Sequence, residues 1–208
     1  MPEIGKTKVK TQERIKWKTF RETWKDCEAC PLHQTRHRIC LAKGKVPCDV
    51  LFVGEAPGMS EDTIGQPFVG PAGKLLDEMI SAAFDEIDPG ENDWGRSDVK
   101  LAFTNIVCCL PIGADGKKAI EPDPAHAKAC SPRLIEFVDK VAQPKLVILV
   151  GKYAAKYVKK FFPNHAWPTV EITHPAAILK SDIGQRGLLI QRNTVTIRDA
   201  FETILEGT

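Results

Sequence analysis

Three short apolar runs, each closed by a glycine or an asparagine and each followed by a helix-like stretch, constrain this chain more than any other feature. They are DVLFVG at 49–54, VKLAFTN at 99–105 and KLVILVG at 145–151. Runs of this length, dominated by Val, Leu, Ile and Phe, suit strands buried on both faces of a sheet. The segments after them carry helical spacing, from about Ala72 to Phe84, from Pro124 through Leu134, Phe137 and Val138, and from Tyr153 to Phe162. TVEITH at 169–174 supplies a fourth strand, and a last helix is expected over roughly Thr196 to Leu205. Strands alternating with helices predict an α/β fold, a three-layer sandwich with a central, mainly parallel four-stranded sheet flanked by helices. With 208 residues and 43% apolar composition the chain can bury one ordinary core, so 1–208 reads as a single domain. Residues 1–25 form an N-terminal extension whose helix covers Arg14 to Trp24, and 85–98 and 180–193 read as surface insertions.

In sheets of this kind ligands bind beyond the carboxyl ends of the strands, and Glu55, Asn105 and His174 stand at three such ends. The run GEAPGMSEDTIGQPFVGPAG leads from the first strand into the next helix. Its glycines Gly54, Gly58, Gly65, Gly70 and Gly73 let backbone amides approach a small ligand that side chains would block. A net charge of +2 excludes a strongly cationic nucleic-acid wrapper, although KTKVK at 6–10 and KYAAKYVKK at 152–160 are short basic clusters able to meet phosphates. No segment approaches the roughly twenty apolar residues of a membrane span. The N-terminus alternates in charge where a signal peptide needs an apolar stretch, so a cytoplasmic protein is expected, with no membrane partner.

Seven cysteines in a reducing compartment point away from a disulfide framework. Cys27 and Cys30, separated by two residues in CEACPL, are answered by Cys109 and Cys130 far along the chain. That pattern suits a metal or cluster site tying distant segments together, with zinc or simple burial of thiols as the alternatives. Cys40, Cys48 and Cys108 read as packing residues.

Taken in order, CEAC, GEAPGMSEDTIGQPFVGPAGKLL, TNIVCC, Cys130 ahead of a helix, LVILVG and HPAAIL make the chain resemble the iron–sulfur uracil-DNA glycosylases, family 4 of that superfamily, over most of its length. The resemblance implies a [4Fe–4S] cluster on Cys27, Cys30, Cys109 and Cys130, structural in role. Cys108 departs from the family, which usually has a basic residue before the third ligand, and the loop from Cys109 to Cys130 is longer than usual. The implied activity is monofunctional hydrolysis of the N-glycosidic bond of uracil in DNA, leaving an abasic site, by a monomer acting on DNA. Excision of another modified pyrimidine, such as hydroxymethylated or glucosylated cytosine in an anti-phage defence, and binding of damaged DNA without turnover are the alternatives.

The same resemblance assigns roles to the site residues. Phe68 is the ring that stacks on a flipped base, with Ala56 also against it, and the Asn105 amide matches O4 and N3–H of uracil. His174 stands near O2, where charge accumulates as the bond breaks. Glu55 orients the attacking water or the sugar cation, and Glu61 crowds the C5 face against thymine's methyl group. Ile178 or Leu179 is the wedge in the minor groove, and Lys180 meets a phosphate. Plainer readings stand beside these: a turn cap for Asn105, a structural histidine at 174, a loop cap for Glu61, and core packing for the 178–179 pair.

Overall fold

The computed structural model describes residues 3–87, 99–113, 116 and 118–207, with side chains from residue 12 onward. Its sheet has five strands, β1 (Lys43–Gly44), β2 (Val50–Gly54), β3 (Leu101–Asn105), β4 (Leu146–Val150) and β5 (Thr169–Ile172), in the order β1-β3-β2-β4-β5. The four strands expected from the sequence are the parallel ones. The fifth, β1, is a two-residue antiparallel edge pairing Lys43 with Phe103 and Gly44 with Ala102. Two residues show no periodicity, which is why the sequence does not announce it.

Among the described residues, seven α-helices surround the sheet: α1 (Glu3–Trp24), α2 (Met59–Ile64), α3 (Pro71–Ile87), α4 (Pro124–Glu136), α5 (Lys152–Phe161), α6 (Pro175–Lys180) and α7 (Ile183–Glu206). Successive strand residues point to opposite faces, and this splits the core in two. Leu51, Val53, Val147 and Leu149 pack with Phe20, Leu134, Phe137 and Tyr157 on the side of α1, α4 and α5. Val50, Phe52, Phe103 and Ile148 pack with Leu76, Met79, Ile80, Ile197 and Phe201 on the side of α3 and α7. The result is the three-layer sandwich. Each Phe or Leu removed from water this completely stabilises the fold by roughly 1.5–3 kcal/mol, and the stacked rings of Phe84 and Phe201, 4.5 Å apart, fix α3 against α7.

Three boundaries differ from the sequence reading. Helix α1 begins at Glu3, well before Arg14. After α4 the chain continues as a π-helical turn, Phe137–Ala142, that keeps Phe137 and Val138 in the core. Most of the stretch 180–193, expected as a surface insertion, is the start of α7, which begins at Ile183 and runs unbroken to Glu206. Its first turns are held by Arg186, whose guanidinium donates to the carbonyls of Leu179 at 2.7 Å and Ser181 at 3.3 Å. The other expected insertion, 85–98, begins inside α3 and from residue 88 onward lies outside the described residues. Among the described residues no helix is long and apolar enough to cross a membrane.

Candidate active site and cysteine site

Strands β2 and β3 end in register, Gly54 opposite Asn105, and β4 ends beside them. Polar residues just beyond the strands therefore reach one edge of the sheet. A cavity of about 650 Å³ opens there, and Glu55, Ala56, Glu61, Phe68, Asn105 and His174 all line it. The structure brings together every base-site residue expected from the sequence.

Asn105 is 3% exposed. A methyl group on Gly54 would come within 2.4 Å of Asn105 Oδ1 and 2.6 Å of Phe68 Cζ, so only glycine lets the amide and the ring approach this point together. Phe68 itself has φ 54°, in the left-handed region, a conformation that costs a bulky residue roughly 1–3 kcal/mol. Its ring leans on Phe103, centroid to centroid 5.9 Å.

Glu61 is buried in the first turn of α2, and its carboxylate is committed to the loop around it. Oε1 accepts from the amides of Val69 at 2.9 Å and Gly70 at 2.7 Å, and Oε2 accepts from Gly58 at 3.2 Å. The side chain is first of all a clamp closing the two ends of the glycine-rich run on each other.

His174 caps α6, its Nδ1 accepting from the Ala176 amide at 3.1 Å. An acceptor Nδ1 leaves the proton of the neutral ring on Nε2. Burial lowers the pKa of this imidazole and the Lys180 ammonium lowers it further, against an opposing pull from Glu61, so the ring is neutral at pH 7. Gly151, at φ 87°, leaves room for it, since a methyl group there would lie 2.9 Å from His174 Cβ. Asn193, reaching across from α7, accepts from the Thr173 amide at 3.0 Å and donates to its carbonyl at 2.8 Å, fixing the backbone beside the histidine. Burial raises the Glu55 carboxyl pKa; nearby Glu121 adds to the rise and Lys180 opposes it.

The trio expected to face DNA divides. Ile178 is 0% exposed and belongs to the core beneath α6, so it cannot serve as a wedge. Leu179 is 37% exposed and lines the cavity, as does the exposed Lys180. The physical reason is that 175–180 is helical, so adjacent residues face different ways.

On the α1 side of the sheet, Cys27, Cys30, Cys109 and Cys130 line a second, small cavity together with Cys108, Arg36 and Arg133. Arg36 Nη1 donates to the Cys27 carbonyl at 2.7 Å and to Cys109 Sγ at 3.2 Å. Arg133 is 1% exposed; it donates to Cys130 Sγ at 3.6 Å, Thr104 Oγ1 at 2.9 Å and the carbonyls of Asn105 at 2.6 Å and Ile106 at 3.0 Å. The neighbouring Cys108 holds the Cys130 thiol well below the ordinary range, while burial drives Cys108 the opposite way. Burial also pushes Cys109 up to about 11, against the Arg36 guanidinium. Among the described residues no three Cys, His, Asp or Glu side chains are arranged to hold one metal ion. Four thiols around one cavity, two of them facing guanidinium donors, are a donor set whose chemistry suits iron–sulfur ligation.

Arg133, Glu121, Lys43 and Asn193 escaped the sequence reading, because each is an ordinary polar residue whose importance comes only from what the fold places beside it.

The sequence pattern of the Uracil DNA glycosylase superfamily matches residues 42–192. The chain is 36% identical over 132 residues to the protein named Type-4 uracil-DNA glycosylase of Sulfurisphaera tokodaii, covering 64% of this chain and 53% of that one. It is 32% identical over 172 residues to the protein of the same name from Archaeoglobus fulgidus, covering 74% and 78%, and 34% identical over 145 residues to that of Pyrobaculum aerophilum, covering 70% and 65%. The chain thus spans about half the length of the first of these relatives. It belongs to the uracil-DNA glycosylase superfamily.

Proposed function

We propose that this protein is a monofunctional DNA glycosylase that hydrolyses the N-glycosidic bond of deoxyuridine, releasing uracil and leaving an abasic site. The names of its relatives support uracil as the base, and one observation carries the mechanism: the Ala176 amide occupies His174 Nδ1 inside the cavity shared by Asn105 and Phe68. A base flipped out of the stack enters that cavity, stacks on the Phe68 ring and presents O4 and N3–H to the Asn105 amide. As the bond from C1′ to N1 breaks, its electron pair moves onto the base and charge gathers at O2. The neutral His174 donates Nε2–H to that oxygen; a positioned donor of this kind is worth about 3–4 kcal/mol of barrier. The sugar cation left behind is attacked at C1′ by a water that Glu55 orients and whose proton it accepts, a role suited to a carboxylate of raised pKa. Leu179 fills the vacated stack, Lys180 meets a flanking phosphate and Ala56 borders the base. Glu61, fixed by three amides, closes the C5 side, which favours uracil over 5-substituted pyrimidines.

Every proposed group comes from one chain and one domain, so a monomer suffices. Cys27, Cys30, Cys109 and Cys130 would hold a [4Fe–4S] cluster, which braces the N-terminal helix against the core when bound. The experiment is incubation with labelled oligonucleotides containing uracil, thymine, hydroxymethylcytosine or glucosylated cytosine, analysed before and after alkali. Cleavage of the uracil strand only after alkali is the expected result. Cleavage before alkali would assign lyase chemistry, for which Lys180 is the amine in the cavity. Processing of the modified cytosines alone would move the substrate to those bases, and tight binding with no product would leave a sensor.

A further inference from the structure

Lys43 lies in β1, the edge strand added to the sheet, and the proposed mechanism gives it no part. Its side chain turns inward, half-buried, and Nζ donates to the Phe68 carbonyl at 2.8 Å while standing 5.0 Å from the centroid of the Phe103 ring. Phe103 is the ring on which Phe68 leans. Asp77, across from it in α3, and Glu61 are its anionic neighbours. The Phe68 peptide is enclosed on its other side by α3, for a methyl group on Gly73 would lie 2.3 Å from the Phe68 carbonyl carbon. The next two amides, Val69 and Gly70, are both claimed by Glu61. The left-handed Phe68 therefore has its carbonyl held by a cation from β1 and the chain after it held by an anion from α2. A strained residue persists only when its surroundings over-determine it, and these are the groups that do so.

We propose that Lys43 is a positioning residue for base recognition, and that through the Phe68 carbonyl it sets the plane on which the extruded pyrimidine stacks. This rests on the uracil-excision reading of the same cavity. It predicts a defect in binding and not in bond breaking, because Lys43 touches neither the glycosidic bond nor the groups that stabilise its cleavage.

The test is a double-mutant cycle with uracil-containing DNA. Lys43→Met keeps the aliphatic stem and removes the donor; it should raise KM about tenfold, the loss of one charged hydrogen bond, with kcat within about twofold of wild type. Lys43→Arg, which restores a cation within reach of the carbonyl, should recover most of that loss. Combined with Phe68→Leu, Lys43→Met should add almost nothing, since both act on the same contact. Hydrogen exchange at the Val69 and Gly70 amides should quicken in Lys43→Met while the amides of β2 and β4 stay protected, a local loosening that general destabilisation would not give. An unchanged KM in Lys43→Met, or an additive cycle, in an active wild-type background overturns the positioning role and leaves the excision reading intact. A wild-type protein that releases no uracil overturns both.

Discussion

The two cavities described above are built on opposite principles. The base cavity is finished by the polypeptide alone: Glu61 ties Gly58 to Val69 and Gly70, the Ala176 amide sets the His174 tautomer, and Asn193 grips Thr173. The cysteine cavity is lined instead by thiols and arginines. Its thiols come from segments far apart in the chain, and guanidinium groups reach two of them, Arg36 at Cys109 and Arg133 at Cys130. On the proposed reading, the contrast makes catalytic geometry and bracing separable except at Arg133, which touches the Cys130 sulfur and the Asn105 carbonyl at once.

The sharpest ways to break that comparison begin at the base cavity. His174→Ala should lower the single-turnover rate on uracil-containing DNA by about 10²–10³-fold, the cost of losing one preorganised donor, with the cluster absorbance kept and stability lowered only by the lost α6 cap, about 1 kcal/mol. Arg133→Met should cost about 3 kcal/mol of unfolding free energy, because several buried acceptors lose their donor; denaturant titration reads it, and it should disturb both cavities together. Cys109→Ser should abolish the cluster absorbance and lower the thermal midpoint, yet slow uracil release by the remaining folded protein by less than about tenfold. If it abolishes catalysis outright in folded protein, the two cavities are not separable.

The smallest effect is one of pH. His174 has a folded pKa below its ordinary 6.5 because of burial and Lys180. As the pH drops from 6.5 toward that lower value, the unfolded chain takes up a proton that the buried ring refuses. Unfolding free energy then declines with acid, and its slope has the sign set by the greater proton binding of the unfolded state. His174→Gln should flatten this dependence in denaturation curves measured between pH 7 and pH 5.

Much of this architecture is legible in the sequence, and the exceptions share a cause. The parallel strands announce themselves because both faces are buried, which makes β2, β3 and β4 continuous apolar runs. The glycine-rich run and the residues at the strand ends are legible because chemistry fixes their order. What stays hidden depends on long-range partners. Helix α7 looks like a loop at its start, since Gly184 and Gly187 weaken local helix propensity and Ile183 is 88% exposed; Arg186 bonding back to α6 secures it instead. Ile178 and Leu179 are indistinguishable by composition, and only the helical phase of α6 sends one into the core and the other outward. Arg133 reads as a surface residue of an amphipathic helix until the fold surrounds it with carbonyls.

The central claim is that Asn105, His174 and Phe68 form one finished uracil site. Single-turnover release of free uracil from a duplex carrying one deoxyuridine, followed for wild type, Asn105→Ala and His174→Ala under identical conditions, addresses it most directly. The account predicts rapid release by wild type and a loss of at least about a hundredfold in each variant. Release by either variant at the wild-type rate, or none by wild type with its cluster intact, would contradict it.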